Sequence, residues 1–343
     1  CIATGSIDAA TGTYSLALLK TQTGVITLKI TSQGSAKDYW DEANATQADL
    51  GGATLAATIV ANGLNQTANI TLLTDLATSL IHGIAATPSS AQVSAVNLAL
   101  TKLLLNSSSN TDITAYTPDF TTDSLGASTV NTATMYGQLM AQLVQQVKEK
   151  SSSLAVVLSQ MASGINFDSS TATLNSAFAK EVFLLAKTQM AASLATGANA
   201  SAYLSAQDLI DNGVPGVSTL TTTRKADLIA RIVATSDDGS QVDTLAKVQT
   251  LTNKVIALGK IQDYADTGLV PPVLADYTAA AVTGVTADNL AAVNAQVLAQ
   301  STGGADTPAE IQALVTAADA ALAKIEAYNN GNGTTPAALS VQD

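Results

Sequence analysis

The chain has 343 residues, of which 47% are hydrophobic, 12% charged and 4% aromatic, a composition that disfavours intrinsic disorder. Its formal net charge of −12 disfavours nucleic acids and anionic membrane surfaces as partners. No apolar run reaches the roughly 20 residues that a membrane-spanning helix requires.

Residues 1–70 carry the period-two pattern of β-strands. GVITLKITS (24–32) alternates clearly, and TGTYSLALL (11–19), ATLAATIV (53–60) and ANITLL (68–73) are further strand predictions. About four strands are fewer than the roughly seven of an Ig-like sandwich. We therefore expect an incomplete, antiparallel Ig-like β region, whose open edge can pair with another strand.

Residues 71–200 carry apolar residues at helical spacing and predict a central helical bundle. Ser89 and Gln92 have the spacing of a capping box at the start of one helix. The apolar stripes, which we interpret as core faces, are Leu73-Leu76-Leu80-Ile84, Val93-Val96-Leu100-Leu103, Tyr136-Leu139-Leu143-Val147, Leu154-Val157-Leu158-Met161 and Leu174-Phe178-Val182-Leu185-Met190.

Residues 201–343 contain an internal repeat with a period of roughly 65–70 residues. LSAQDLIDNGVPGV (204–217) aligns with VLADYTAAAVTGV (273–285), so that Asp208 corresponds to Asp276. The opening phrase returns as LSVQD at 339–343. We predict tandem three-helix repeats at 201–270 and 271–338, and the start of a third repeat or a junction at 339–343.

The second half of each repeat also aligns. DTLAKVQTL (243–251) matches DTPAEIQAL (306–314), and the later Lys-Ile…Tyr pattern recurs. Thr307, Pro308 and Glu310 predict a capped helix start. The matching later residues are Lys260, Ile261 and Tyr264 in the first repeat, and Lys324, Ile325 and Tyr328 in the second.

The phrases DYTAAAVTGVTADNLAAVN (276–294) and EIQALVTAADAALAKI (310–325) resemble a repeat of large bacterial extracellular surface and adhesin-like proteins. They are also similar to the GA-type three-helix modules of bacterial cell-wall proteins. Residues 1–200 resemble a surface-protein block in which Ig-like or carboxypeptidase-regulatory-like strands run into ITLLTDLATSL (70–80) and a helical bundle. The resemblance implies an extracellular, non-catalytic role in adhesion, surface layers or filaments.

No recognisable catalytic motif occurs, and we predict that the chain is not an enzyme and holds no cofactor. A hydrolytic nucleophile would need a neighbouring base, and His82 is the only histidine. His82 lies in LIHG, where we expect it to interact with the C-terminal dipole of a helix.

Two further segments of the sequence allow either a functional site or a simpler interpretation. Asp237, Asp238 and Asp243 in SDDGSQVD either bind calcium or form an ordinary turn, and their spacing lacks the alternation of a calcium loop. Lys20 or Lys29 could form an isopeptide crosslink, but the sequence identifies no acid partner. We therefore predict no metal site.

Two features bear on processing. Cys1 is either a lipid-modified N-terminal residue or the point at which a longer chain was cut. The N-x-[ST] sequons, which matter only if the source glycosylates its surface proteins, are Asn44, Asn65, Asn69, Asn106, Asn199 and Asn332.

These observations together predict an extracellular structural protein, a self-associating subunit of a surface filament, sheath or surface layer. Copies would join head to tail by strand donation, with residues 1–10 or 334–343 as the donor. The alternative is an adhesin fragment or binding module for a host protein or glycan. In either case cell-surface or matrix partners are expected.

Overall fold

The structure is a computed structural model. The chain divides into two compact units, Cys1–Leu204 with Val233–Asp243, and Ser205–Ile232 with Thr244–Asp343. It is α+β and mostly helical with a small antiparallel sheet, which confirms the predicted fold class. The residues described are 3–5, 14–19, 21–31, 39–41, 46–48, 50, 54–105, 110–117, 132–150, 152–193, 204–235, 240–300 and 303–329.

The first unit combines short sheets with five helices among its described residues. In chain order its elements are β1 (Thr23–Thr31), β2 (Tyr39–Asp41), β3 (Thr46–Ala48), β4 (Thr54–Asn62), α1 (Leu72–Ile84), α2 (Ser90–Leu104), a 3₁₀ turn (Ile113–Ala115), α3 (Thr132–Glu149), α4 (Leu154–Ser163), β5 (Ile165–Asp168), β6 (Thr171–Leu174) and α5 (Ala177–Ser193).

The principal sheet pairs β1 with β4 in antiparallel register, from Thr23 opposite Asn62 to Thr31 opposite Thr54. Both strands were predicted, because β-branched and apolar residues alternate along them. Two smaller antiparallel pairs, β2 with β3 and β5 with β6, complete the strand content of the described residues.

Two of the strand predictions differ from the structure. Of the predicted strand 11–19, residues 11–13 lie outside the described residues, Tyr14 makes a single β-bridge, and residues 15–19 are irregular although their burial alternates. The predicted strand 68–73 instead leads into α1, which begins at Leu72. Thr71 and Thr74 cap this helix reciprocally, with Thr74 N–H donating to Thr71 Oγ1 at 3.2 Å and Thr71 N–H to Thr74 Oγ1 at 2.8 Å. These local bonds favour a helix start over an extended strand.

The hairpin β5–β6 was not predicted, and Leu174 lies in β6 rather than on the helix stripe assigned to it. Ser169 makes the turn in the left-handed conformation, with φ of 52°. The following helix, α5, begins at Ala177, because Ser176 Oγ accepts the Ala179 N–H at 3.1 Å.

One hydrophobic core joins the strands to all five helices of the first unit. Leu55 of β4 packs in the same cluster as Leu76 of α1, Leu100 of α2 and Leu139 of α3, and each is at most 5% exposed. Burial of each such side chain contributes about 1.5–3 kcal/mol. The β region and the helical bundle therefore depend on each other for stability.

The second unit consists of two successive copies of one helical motif. Gly216 and Gly284 have φ of 85° and 81° at equivalent turns after the first short helix of each copy. Its elements are α6 (Ala206–Asp211), a 3₁₀ turn (Val217–Thr219), α7 (Thr222–Val233), α8 (Leu245–Thr267), α9 (Leu274–Ala279), α10 (Leu290–Leu298) and α11 (Pro308–Asn329).

The predicted caps are present. Ser89 and Gln92 form the capping box of α2. At the start of α11, Glu310 N–H donates to Thr307 Oγ1 at 3.3 Å and Thr307 N–H donates to Glu310 Oε2 at 2.9 Å. The hydrogen bonds that the Glu310 carboxylate accepts, from the Thr307 hydroxyl, the Thr307 N–H and the Asp306 N–H, hold the pKa of Glu310 below its usual value.

Candidate functional site

The first unit contains an open cleft of about 520 Å³ between β4, α1, α4 and β5. Leu80, Leu158 and Phe167 contribute apolar surface, and Ser79 and Asn166 contribute polar groups. Among the described residues that line it, Asp75 is the only titratable side chain.

Asp75 is half-buried in the first turn of α1, and its Oδ1 accepts the Ala56 N–H of β4 at 2.9 Å. Burial raises the pKa of this carboxyl to about 6, although the Ala56 hydrogen bond and the charge of Lys29 act to lower it. The side chain therefore changes charge near neutral pH.

A raised carboxyl pKa in a cleft is a recognised sign of an active site. General acid–base catalysis commonly pairs such a group with a second titratable group, and the described lining of this cleft provides none. Oδ1 of Asp75 is hydrogen-bonded to the backbone of β4. We therefore interpret Asp75 as a group that closes a sheet edge.

The outer edge of β4 is closed at Ala56 by α1. Asp75 accepts the Ala56 N–H, and Thr74 Oγ1 donates to the Ala56 carbonyl at 3.1 Å. One peptide position thus has both of its outward backbone groups satisfied by side chains.

The same edge is closed further along the strand. Asn97 of α2 donates from Nδ2 to the Thr58 carbonyl at 3.0 Å. Gln66 donates from Nε2 to the Val60 carbonyl at 3.1 Å and accepts the Asn62 N–H at 3.0 Å. Side chains therefore take the place of a neighbouring strand along β4.

The outer edge of β1 differs from that of β4 in how its backbone groups are paired. In an antiparallel pair, the backbone N–H and C=O groups of two directly opposed residues either hydrogen-bond to each other or both point away from the partner strand. The backbone groups of Ala56, Thr58 and Val60 point away from β1. The backbone groups of the residues opposite them therefore point away from β4; these residues are Lys29, Thr27 and Val25. In the described part of the chain no strand pairs with this edge of β1.

The residues singled out from the sequence lie apart from this cleft or outside the described residues. His82 is exposed in the last turn of α1, with Nε2 3.5 Å from Thr27 Oγ1. Lys29 is exposed on β1, and Lys20 lies outside the described residues. The described residues contain no group of three or more potential metal ligands. Asp237 and Asp238 lie outside them, so the interpretation of this segment as a turn and not a calcium site stays a prediction.

Two of the glycosylation sequons lie within the described residues. Asn65 is exposed, whereas Asn69 Nδ2, the atom to which a glycan would attach, donates to the Tyr116 carbonyl at 2.8 Å. Asn65 is therefore the better acceptor of the two. Asn44, Asn106, Asn199, Asn332 and Cys1 lie outside the described residues.

Comparison with known proteins gave no match among family models, curated proteins or solved structures. The resemblance to bacterial surface repeats therefore stays a prediction. Among the described helices, none is both long and apolar enough to cross a membrane.

Proposed function

We propose that this chain is a non-catalytic structural protein of an extracellular filament, sheath or surface layer. In this proposal copies join by adding a strand to the outer edge of β1. The contrast between the two edges of the principal sheet carries the proposal, since side chains occupy the edge of β4 while the described residues leave that of β1 unpaired. An unpaired edge is a template for strand addition.

The added strand would come from a second copy of this chain. Each copy then accepts a strand at β1 and donates one elsewhere, which is a head-to-tail contact, and such contacts build filaments when they do not close into rings. The predicted donors are residues 1–10 and 334–343. Apart from residues 3–5, these segments lie outside the described residues.

The sharpest test is a matched pair of substitutions at Lys29, whose side chain is exposed and whose backbone faces away from β4. Lys29→Pro removes the outward N–H without touching the β1–β4 ladder, and proline is accepted on edge strands. Lys29→Thr removes the same charge but retains the N–H.

We expect Lys29→Thr and the parent chain to form polymers visible by electron microscopy, and Lys29→Pro to stay monomeric with an unchanged circular dichroism spectrum. Deletion of the true donor segment should also give monomers. Polymers of Lys29→Pro would show that β1 is not the joint. A parent chain that remains monomeric over a wide range of concentration and pH would remove the proposed function altogether.

A further inference from the structure

The two long helices of the second unit share five residues of an eight-residue stretch that is covered in α8 and exposed in α11. ALGKIQDY occupies 257–264 in α8, and ALAKIEAY occupies 321–328 in α11. In α8 Ile261 is 0% exposed and Tyr264 is 9% exposed. Their counterparts in α11 are 41% and 54% exposed.

The short helices of the second repeat cover the copy in α8. Ile261 and Tyr264 belong to one core cluster with Tyr277, Val293 and Val297. Tyr277, Val293 and Val297 are fully buried there. The copy in α8 is therefore the seat on which α9 and α10 pack.

An ion pair joins the start of α9 to α8. Lys260 Nζ lies 2.7 Å from Asp276 Oδ1, and Asp276 Oδ2 accepts the Val273 N–H at 3.0 Å. Asp276 is 8% exposed, so a single carboxylate caps α9 and ties it to α8.

The first half of α11 packs on its own repeat through Ile311, Val315 and Ala318, all of which are buried in the same cluster. At 1.5 Å per residue the 22 residues of α11 extend about 33 Å, whereas the nine of α10 extend about 14 Å. In the second half of α11 the apolar side chains are less covered, with Leu322 half-buried and Ile325 and Tyr328 exposed.

The differences between the two copies do not involve the seat. Positions 257, 258, 260, 261 and 264 are identical in their counterparts in α11. The substituted positions in α8 serve other contacts: Arg224 donates to the Gly259 carbonyl at 2.7 Å and pairs with Asp263, and Gln262 donates to Asp306. Only the residues that hold α9 and α10 recur unchanged.

We propose that Ala321, Leu322, Ile325 and Tyr328 of α11 form a docking surface for the two short helices of a further repeat, one that opens with LSVQD at 339–343. This phrase matches LSAQD at 204–208, where Ser205 and Asp208 cap α6. Residues 339–343 lie outside the described residues, so the assignment is one of sequence. The inference does not rest on the strand joint at β1, but it assigns 339–343 to a repeat and so leaves residues 1–10 as the strand donor.

The test is a chain in which residues 277–329 are appended after Asp343, so that Asp343 takes the place of Asp276. Ile325→Cys in a Cys1→Ser background reports on the surface through its rate of thiol labelling. The matched control carries the same extension with Asp at the appended copies of Val293 and Val297.

We expect the intact extension to slow labelling of Ile325→Cys by at least about tenfold and to increase the helical circular dichroism signal. The control extension should label at the rate of the unextended chain. Equal rates for the intact and control extensions would overturn the proposal. A failure of the intact extension to become helical would also count against it, since the same residues fold against α8.

A second pair of variants checks the asymmetry without any extension. Ile325→Asp in the parent chain should leave the thermal midpoint within about 2 °C of the parent value. Ile261→Asp, at the equivalent but covered position, should unfold the second repeat. A large loss of stability from Ile325→Asp would show that Ile325, like Ile261, already contributes to the stability of the folded chain.

Discussion

Replacing Asp75 by Asn tests how the edge of β4 is closed. The carboxyl has a pKa of about 6 in the fold against 3.8 for an unperturbed Asp. Folding therefore favours the protonated form, and stability falls as pH rises from about 4 to about 6 and then levels off. The pKa rise from 3.8 to about 6 corresponds to a cost of about 3 kcal/mol, and solvent screening of the half-buried group reduces this to about 1–2 kcal/mol.

Asn retains an oxygen that can accept the Ala56 N–H but does not ionise. We expect Asp75→Asn to match the parent chain near pH 4 and to exceed it by about 1–2 kcal/mol near pH 7.5. Urea denaturation followed by circular dichroism at both pH values measures the difference. Asp75→Ala is the control, because it leaves the Ala56 N–H unpaired and should destabilise the first unit by about 1–3 kcal/mol at both.

The reasoning would be refuted if Asp75→Asn were clearly less stable than the parent chain near pH 7.5. That result would mean that the ionised carboxylate stabilises the folded state more than its burial costs. The helix dipole and the charge of Lys29 would then outweigh desolvation, contrary to the direction of the pKa shift.

Two further substitutions test other parts of the fold. Asn97→Ala should cost about 1–3 kcal/mol, because the buried amide bonds both the Thr58 carbonyl and Asp112; an unchanged urea midpoint would show that water replaces it. Gly284→Ala should cost about 1–2 kcal/mol in thermal denaturation, since φ is 81° there, whereas Gly83→Ala, in a helix with nothing near its Cβ position, should be neutral or stabilising. Equal effects of the two glycine substitutions would argue against strain at Gly284.

The sequence predicted the elements whose signals are local and repeated. β1 and β4 followed from alternation, and the start of α11 followed from the Thr307–Glu310 spacing. The hairpin β5–β6 was missed because its turn residue with positive φ is Ser169, and not the glycine that usually marks such a turn in a sequence.

The candidate site depends on contacts between distant segments, which one sequence does not show. Asp75 looks like an ordinary acidic residue in the first turn of a helix, and only the packing of β4 and α4 buries it. Self-similarity revealed the repeat, but it could not show that Ile261 is covered while Ile325 is exposed. The cap at Thr71, by contrast, is a local signal: its hydrogen bonds with Thr74 overrode the β-like composition of residues 68–73.

The shared helix α8 has a mechanical consequence. Its 23 residues run without interruption from the body of the first repeat into the seat of the second. Two repeats joined in this way cannot rotate freely relative to each other. Bending at the junction would break helical hydrogen bonds or separate Tyr277 from Ile261. If a further repeat docks on α11 as proposed, its junction with the second repeat would resist bending in the same way.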